Sequence, residues 1–150
     1  IGAQRLLDLF HKTDPMSNED IDLLNNYLQD ELDALHNAID QWKPHTLVGA
    51  SGTFDTLSEI YCIKKGLSFA SQGEVPLTLE GYYEIHNELI LKNRSERLLI
   101  PGMIEMRVDM IVVASLLIHY ILSKHQFSNL RVSTFALKEG VLAEVLKNEI

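Results

Sequence analysis

Leu47-Val48 runs straight into Gly49-Ala50-Ser51-Gly52-Thr53, and Phe54-Asp55-Thr56-Leu57 opens an amphipathic stretch behind it. An apolar run, a glycine turn and a helix make one βα unit, which commits the chain to an α/β arrangement. Two glycines let the backbone turn tightly and approach a ligand, while the Ser51 and Thr53 hydroxyls and the unpaired N–H groups of the helix start can donate to an anion. The spacing excludes two familiar loops. No Gly-Lys-Ser/Thr follows, so this is not a Walker A loop, and Thr53 stands where a nucleophile elbow needs its last glycine. The same grammar also describes a helix-capping turn that binds nothing.

The rest of the chain supplies many helices and few strands. Gln4 to His11 reads as a short helix broken at Thr13-Asp14-Pro15, since a proline disfavours helix in the residue before it. Ser17 with Asp20 resembles a capping box, and Ile21, Leu24, Leu28, Leu32, Leu35 and Ile39 recur at helical spacing, which predicts one helix through Trp42. Thr46 to Val48 reads as a short buried strand, and Thr53 to Ile63 as a helix ending near Gly66, which supplies a left-handed C-cap. An extended segment before Pro76 and a helix from Thr78 to Lys92 follow. A helical turn at Ser95-Glu96-Arg97 is broken by Pro101-Gly102. The stretch from Ile104 to Lys124 predicts a long helix, nearly all apolar between Asp109 and His119, which belongs in the centre. Leu130 to Ser133 reads as a strand. Ala136 to Lys147 reads as a closing helix with Leu137, Val141, Leu142 and Val145 turned inward.

Composition removes several functions. The 150 residues suit one domain, 1–150, and can bury about two-thirds of the surface of the unfolded chain. Net charge is −8, concentrated before Pro44, where nine acids meet three bases. No basic stripe exists for a phosphodiester backbone, so nucleic-acid binding is not expected, although a small phosphorylated ligand could sit against the later part of the chain. The acids from Glu19 to Asp40 lie outside the apolar stripe and read as a solvated face. Met110 to Ser123 is shorter than the ~20 residues a bilayer requires, so no membrane span is expected. Cys62 is the only cysteine, and its apolar helical context suits a protonated, packed thiol in a reducing cytoplasm. The six histidines show no i,i+4 pairing and no His-Glu-x-x-His pattern, so no metal site is expected, and His119 reads as a satisfied core histidine. Neither a nucleophilic triad nor any other catalytic residue stands out. Arg107, flanked by Glu105 and Asp109, reads either as a structural ion pair at the start of the buried helix or as a phosphate clamp. The first residue is Ile1, which fits a processed chain or a piece of something longer.

Several segments, taken in order, resemble the exopolyphosphatase and guanosine pentaphosphate phosphohydrolase family, relatives of sugar kinases and actin. Gly2-Ala3-Gln4-Arg5-Leu6 is similar to the end of its Gly-x-x-Arg-Leu segment, Asp14-Pro15 to its Asp-Pro break, and Gly49-Ala50-Ser51-Gly52-Thr53 to its Gly-x-Gly/Ser-Gly-Thr turn. Glu96-Arg97, Ile100-Pro101-Gly102 and Arg107-Val108-Asp109-Met110-Ile111 resemble its Glu-Arg, Pro-Gly and Arg-Ala-Asp-x-Ile series, and Ala136 to Leu142 its Leu-Arg-Glu-Gly-x-Leu ending. Lys138 departs from the usual arginine, keeping the charge without the planar fork, and Val108 replaces an alanine.

The resemblance implies the helix-rich second lobe of an actin-like, ribonuclease H-like ATPase fold, with few strands and with the N-terminal lobe missing. It implies that the intact protein is a hydrolase of terminal phosphoanhydride bonds in inorganic polyphosphate or a phosphorylated guanosine nucleotide. Mg²⁺ and the water-activating carboxylate would then be held by residues outside this chain, and the fragment alone would be inactive. Gly49, Ser51, Gly52, Thr53 and Arg107 are the residues implied to contact phosphate or nucleotide. The competing expectation is a sensor that binds a phosphorylated ligand without turnover, or an oligomerisation surface that would pair two copies as a homodimer.

Overall fold

The computed structural model describes residues 1–69 and 73–148, with side chains described through Lys147. The chain order is α1 (Ala3–Phe10), α2 (Asn18–Glu31), α3 (Asp33–Trp42), β1 (Thr46–Ala50), α4 (Gly52–Lys65), β2 (Glu74–Val75), α5 (Leu79–Leu91), α6 (Arg94–Leu98), α7 (Met110–Lys124), β3 (Asn129–Ser133) and α8 (Leu137–Asn148). The strands form one sheet in the order β1-β3-β2, with β1 and β3 parallel and β2 antiparallel to β3. Gly49 pairs with Val132 and Ala50 with Ser133, so both parallel strands end beside the glycine turn.

α7 is the axis of the fold. Ile111, Val112, Val113, Leu116, Ile118, Tyr120 and Leu122 are buried on successive faces of it. Leu6 of α1, Leu24 and Leu28 of α2, Leu57 and Ile60 of α4, and Tyr82, Ile85 and Leu89 of α5 share that core. Each such side chain contributes about 1.5–3 kcal/mol on burial, so the helices that surround α7 hold the sheet in place. Punctuation follows local chemistry. Thr78 caps α5 by accepting from the Gly81 N–H, and Gly66 ends α4 at φ 64.

Several sequence expectations change. The helix predicted from Ser17 to Trp42 is two helices kinked at Leu32 (φ −104, ψ 12). A straight rod of that length would run to about 37 Å, past the diameter of a small domain, so the chain bends to keep α2 on α7 and carry α3 toward β1. Asp20, counted among the solvated acids, is buried; its carboxylate accepts from the Thr13 N–H and hydroxyl, and only Ser17 performs the cap. The helix predicted from Ile104 begins at Met110 instead, after a 3₁₀ turn at Glu105–Arg107. The Arg97 guanidinium takes the Val108 carbonyl, an acceptor that an earlier helix start would use for itself. On α8, Leu137, Val141, Leu142 and Val145 are exposed rather than inward, because α8 packs extensively against no other described element.

The histidines also pair where no local spacing announced it. His36 Nδ1 lies 2.7 Å from His125 Nε2, joining α3 to the end of α7. His86 and His119 stack with ring centroids 4.3 Å apart between α5 and α7. His86 is satisfied by the Ser115 hydroxyl, whereas the buried Nδ1 of His119 has no hydrogen-bond partner among the described residues. Val48, placed in a buried strand by its sequence, lies 59% exposed on the open face of the sheet.

Candidate functional site

β1 delivers its last residue, Ala50, to an exposed Ser51 held at φ 68, ψ −178. A non-glycine residue in the left-handed region costs of order 1–3 kcal/mol and persists where its surroundings impose it. The conformation swings the chain sharply into α4, whose first intrahelical bond is Asp55 N–H to Ser51 O at 3.1 Å. The N–H groups of Gly52, Thr53 and Phe54 therefore open the helix without intrahelical acceptors, and the Ser51 side chain does not cap them. These donors, with the positive end of the α4 dipole, stand at the carboxyl end of a parallel strand, where open α/β sheets bind ligands.

The two glycines owe their identity to different neighbours. A Cβ on Gly49 would fall inside the Phe54 ring, so Gly49 is a packing glycine that seats Phe54 against the strand. A Cβ on Gly52 would fall inside the guanidinium of Arg107. The close approach at Gly52 is thus made by this chain's own arginine. Arg107 comes from the 3₁₀ turn and is half-buried, and its side chain makes no hydrogen bond or ion pair among the described residues.

Of the two roles the sequence leaves open, the ion pair of Arg107 with Glu105 or Asp109 is absent among the described residues, because Arg94 has taken both carboxylates. Its Nη2 lies 3.4 Å from Glu105 Oε1 and its Nε 3.3 Å from Asp109 Oδ2. Arg107 is consequently an uncompensated cation laid over a helix N-terminus. Backbone donors, two hydroxyls and a planar guanidinium together can neutralise a multiply charged oxyanion from one side. Thr53 is half-buried beside them and Gly52 is buried.

Among the described residues no group of three or more His, Cys, Asp or Glu is arranged to hold a metal ion, so the residues present do not fit Mg²⁺. Cys62 is buried, and burial pushes its thiol above the ordinary range, away from nucleophilic use.

The model of the Ppx/GppA phosphatase family matches residues 1–149. The chain belongs to the Ppx/GppA phosphatase family. The crystal structure of an exopolyphosphatase from Cytophaga hutchinsonii aligns over 99% of this chain at 41% identity and a TM-score of 0.91. A Ppx/GppA family member from Aquifex aeolicus aligns over 100% of it at 26% identity and a TM-score of 0.77. The chain covers 48% of each of those proteins, about half their length. No curated protein matches it. The helix-rich α/β architecture is that of these Ppx/GppA structures, an actin-like fold.

The family segments whose role was not legible come together here. Asp14, Arg97 and Val108-Asp109, far apart in sequence, meet in one polar cluster one residue from Arg107 in sequence. Arg97 is its fully buried centre. The available signal was Asn93 followed three residues later by Glu96, a capping box that fixes α6 and with it the direction of Arg97.

Proposed function

We propose that the intact protein hydrolyses terminal phosphoanhydride bonds of inorganic polyphosphate, and that this chain supplies one wall of its phosphate site, built from Gly49, Ser51, Gly52, Thr53 and Arg107. The observation that carries this reading is the unpartnered Arg107 guanidinium resting on Gly52 at the start of α4. Membership of a phosphatase family and likeness to an exopolyphosphatase support the substrate class. A phosphorylated guanosine nucleotide would present the same terminal oxygens to the same wall.

In this reading the chain's residues bind and orient. The Thr53 and Phe54 N–H groups and the Ser51 and Thr53 hydroxyls donate to phosphoryl oxygens, while Arg107 meets the charge that spreads over them as the bond to the leaving phosphate lengthens. The water-activating carboxylate and the Mg²⁺ ligands are assigned to the part of the protein outside this chain. This chain alone therefore binds phosphate without turning it over.

Phosphate release from polyphosphate with Mg²⁺, run on the intact protein and its Arg107→Ala variant, tests the reading. Loss of one charge-assisted contact is worth about 1.5–3 kcal/mol, so kcat/KM should fall about ten- to a hundredfold while the unfolding midpoint stays in place. Unchanged kinetics would remove Arg107 from the site. Turnover by residues 1–150 alone at the rate of the intact protein would overturn the division of labour.

A further inference from the structure

Arg107 has no side-chain partner among the described residues, so its place over Gly52 depends on what holds the backbone that carries it. The segment from Arg97 to Val108 is a loop whose neck is closed by a side chain: Arg97 Nε donates to the Val108 carbonyl at 3.0 Å, one residue beyond Arg107. Arg97 is itself held from behind. Its Nη1 donates to Asp14 Oδ1 at 2.7 Å and to the Lys92 carbonyl, and its Nη2 lies 3.7 Å from Asp109 Oδ1. The other Asp14 oxygen accepts from the Arg94 N–H at 2.6 Å, which ties the carboxylate to the first turn of α6.

The far side of the same loop is pinned on α4. Gly102, at φ 93, lies so close to Ile60 that a Cβ there would meet the Ile60 backbone N at 3.0 Å. Gly102 therefore touches the middle of α4 while Arg107 touches its first residue, and the loop runs along about two turns of that helix. Inside it, Arg107 N–H bonds to Ile104 O and Val108 N–H to Glu105 O, so the 3₁₀ turn passes any movement of the neck directly to Arg107.

We propose that Asp14 and Arg97 are positioning residues for Arg107: by closing the neck of the 97–108 loop they set the guanidinium over the α4 N-terminus, where it can receive a phosphoryl oxygen. The ligand side of this proposal rests on the phosphate-site reading above. The positional side stands on the contacts alone.

The experiment is a double-mutant cycle in the intact protein, with inorganic tripolyphosphate as the probe and binding measured by calorimetry at fixed ionic strength, below the unfolding range of every variant. Arg107→Ala should weaken binding about tenfold. Asp14→Asn should weaken it several-fold, and in the Arg107→Ala background it should cost nothing further, because the only route from Asp14 to the ligand has been removed. Where Arg107→Ala does weaken binding, additive losses would overturn the proposal, as would an Asp14→Asn protein that binds like wild type. Should Asp14→Asn not fold, Asp14→Glu keeps the charge, moves it by one methylene and carries the same cycle.

A crystal structure of the Asp14 variant separates failure of the proposal from failure of the reading beneath it. Arg107 found away from Gly52 supports the positioning role even if tripolyphosphate binding proves indifferent to Arg107→Ala, the outcome that would sink the phosphate reading. Arg107 found undisturbed on Gly52 overturns the positioning role whatever the affinities show.

Discussion

Arg97 and Arg107 sit ten residues apart and enclose one loop, yet they live under opposite rules. Arg97 is fully buried, with a carboxylate, two carbonyls and a second acid arranged around it. Arg107 is half-buried with no counter-charge among the described residues, although the two acids flanking it in sequence point elsewhere. A buried cation survives only with its partners in place, whereas a cation at a binding surface is useful because its partner has been withheld. The chain achieves the second condition by spending Arg94 on Glu105 and Asp109.

The largest break in this comparison should come from Arg97→Leu. It strands the Asp14 carboxylate and the Val108 and Lys92 carbonyls, and loss of one member of a buried pair costs about 3–5 kcal/mol. Urea unfolding should report that loss, while Arg107→Ala moves the midpoint hardly at all. Equal losses for the two variants would mean that Arg107 is also structural.

Acid should attack the buried region somewhere other than at its arginine. Burial, and secondarily the neighbouring His119, push His86 down to about 4 from an ordinary value near 6.5. Above pH 6.5 the group is neutral in both folded and unfolded chains and contributes nothing. As pH falls below 6.5 the unfolded chain takes up a proton that the folded chain refuses, so stability declines until about pH 4, by about 3 kcal/mol in all. Burial raises the Asp14 carboxyl, but the hydrogen bonds from Arg97 and the Arg94 N–H outweigh it and hold the group below its ordinary range, so this pair outlasts the histidines. Unfolding followed between pH 7.5 and 4.5 checks the slope, and His86→Gln should flatten it.

These contrasts also show what a sequence can disclose. Elements marked by local chemistry were legible: Thr78 and Gly66 bracket helices by hydrogen bonding and backbone freedom, and the Ser51-Gly52 turn announces a strand-to-helix junction. Elements decided by remote partners were not. The first turn expected at Ile104 is remodelled by Arg97, the histidine pairs join residues 89 and 33 positions apart, and α8 packs extensively against no other described element. The glycine turn shows both cases in five residues. Its strand-turn-helix grammar was readable, but that Gly49 accommodates Phe54 while Gly52 accommodates Arg107 depends on contacts no spacing rule contains.

Gly52→Ala sharpens the comparison from the side of the turn. The atoms nearest the added methyl are the far end of a flexible side chain, so Arg107 swings away and α4 gains a better helix former. Stability should hold or rise slightly while phosphate affinity drops about as far as in Arg107→Ala, roughly tenfold. Thermal unfolding beside a tripolyphosphate titration reads both quantities. A variant that unfolds outright would show that the close approach at Gly52 serves packing, as it does at Gly49.

Arg107→Lys carries the smallest expected effect and asks what kind of cation the site needs. Lysine keeps the charge on a stem of similar length but offers a single compact ammonium, whereas arginine lays a planar fork against its surroundings. Gly52 leaves a flat gap over the helix start that the guanidinium plane fills. If that fit matters, Arg107→Lys should lose about half of the binding energy lost by Arg107→Ala, roughly threefold in affinity, with unchanged stability. The salt dependence should separate charge from shape, since screening weakens the attraction of either cation and leaves their geometric difference in place. A lysine variant that binds as tightly as wild type at both low and high salt would reduce Arg107 to a point charge, and the glycine at position 52 would then need another explanation.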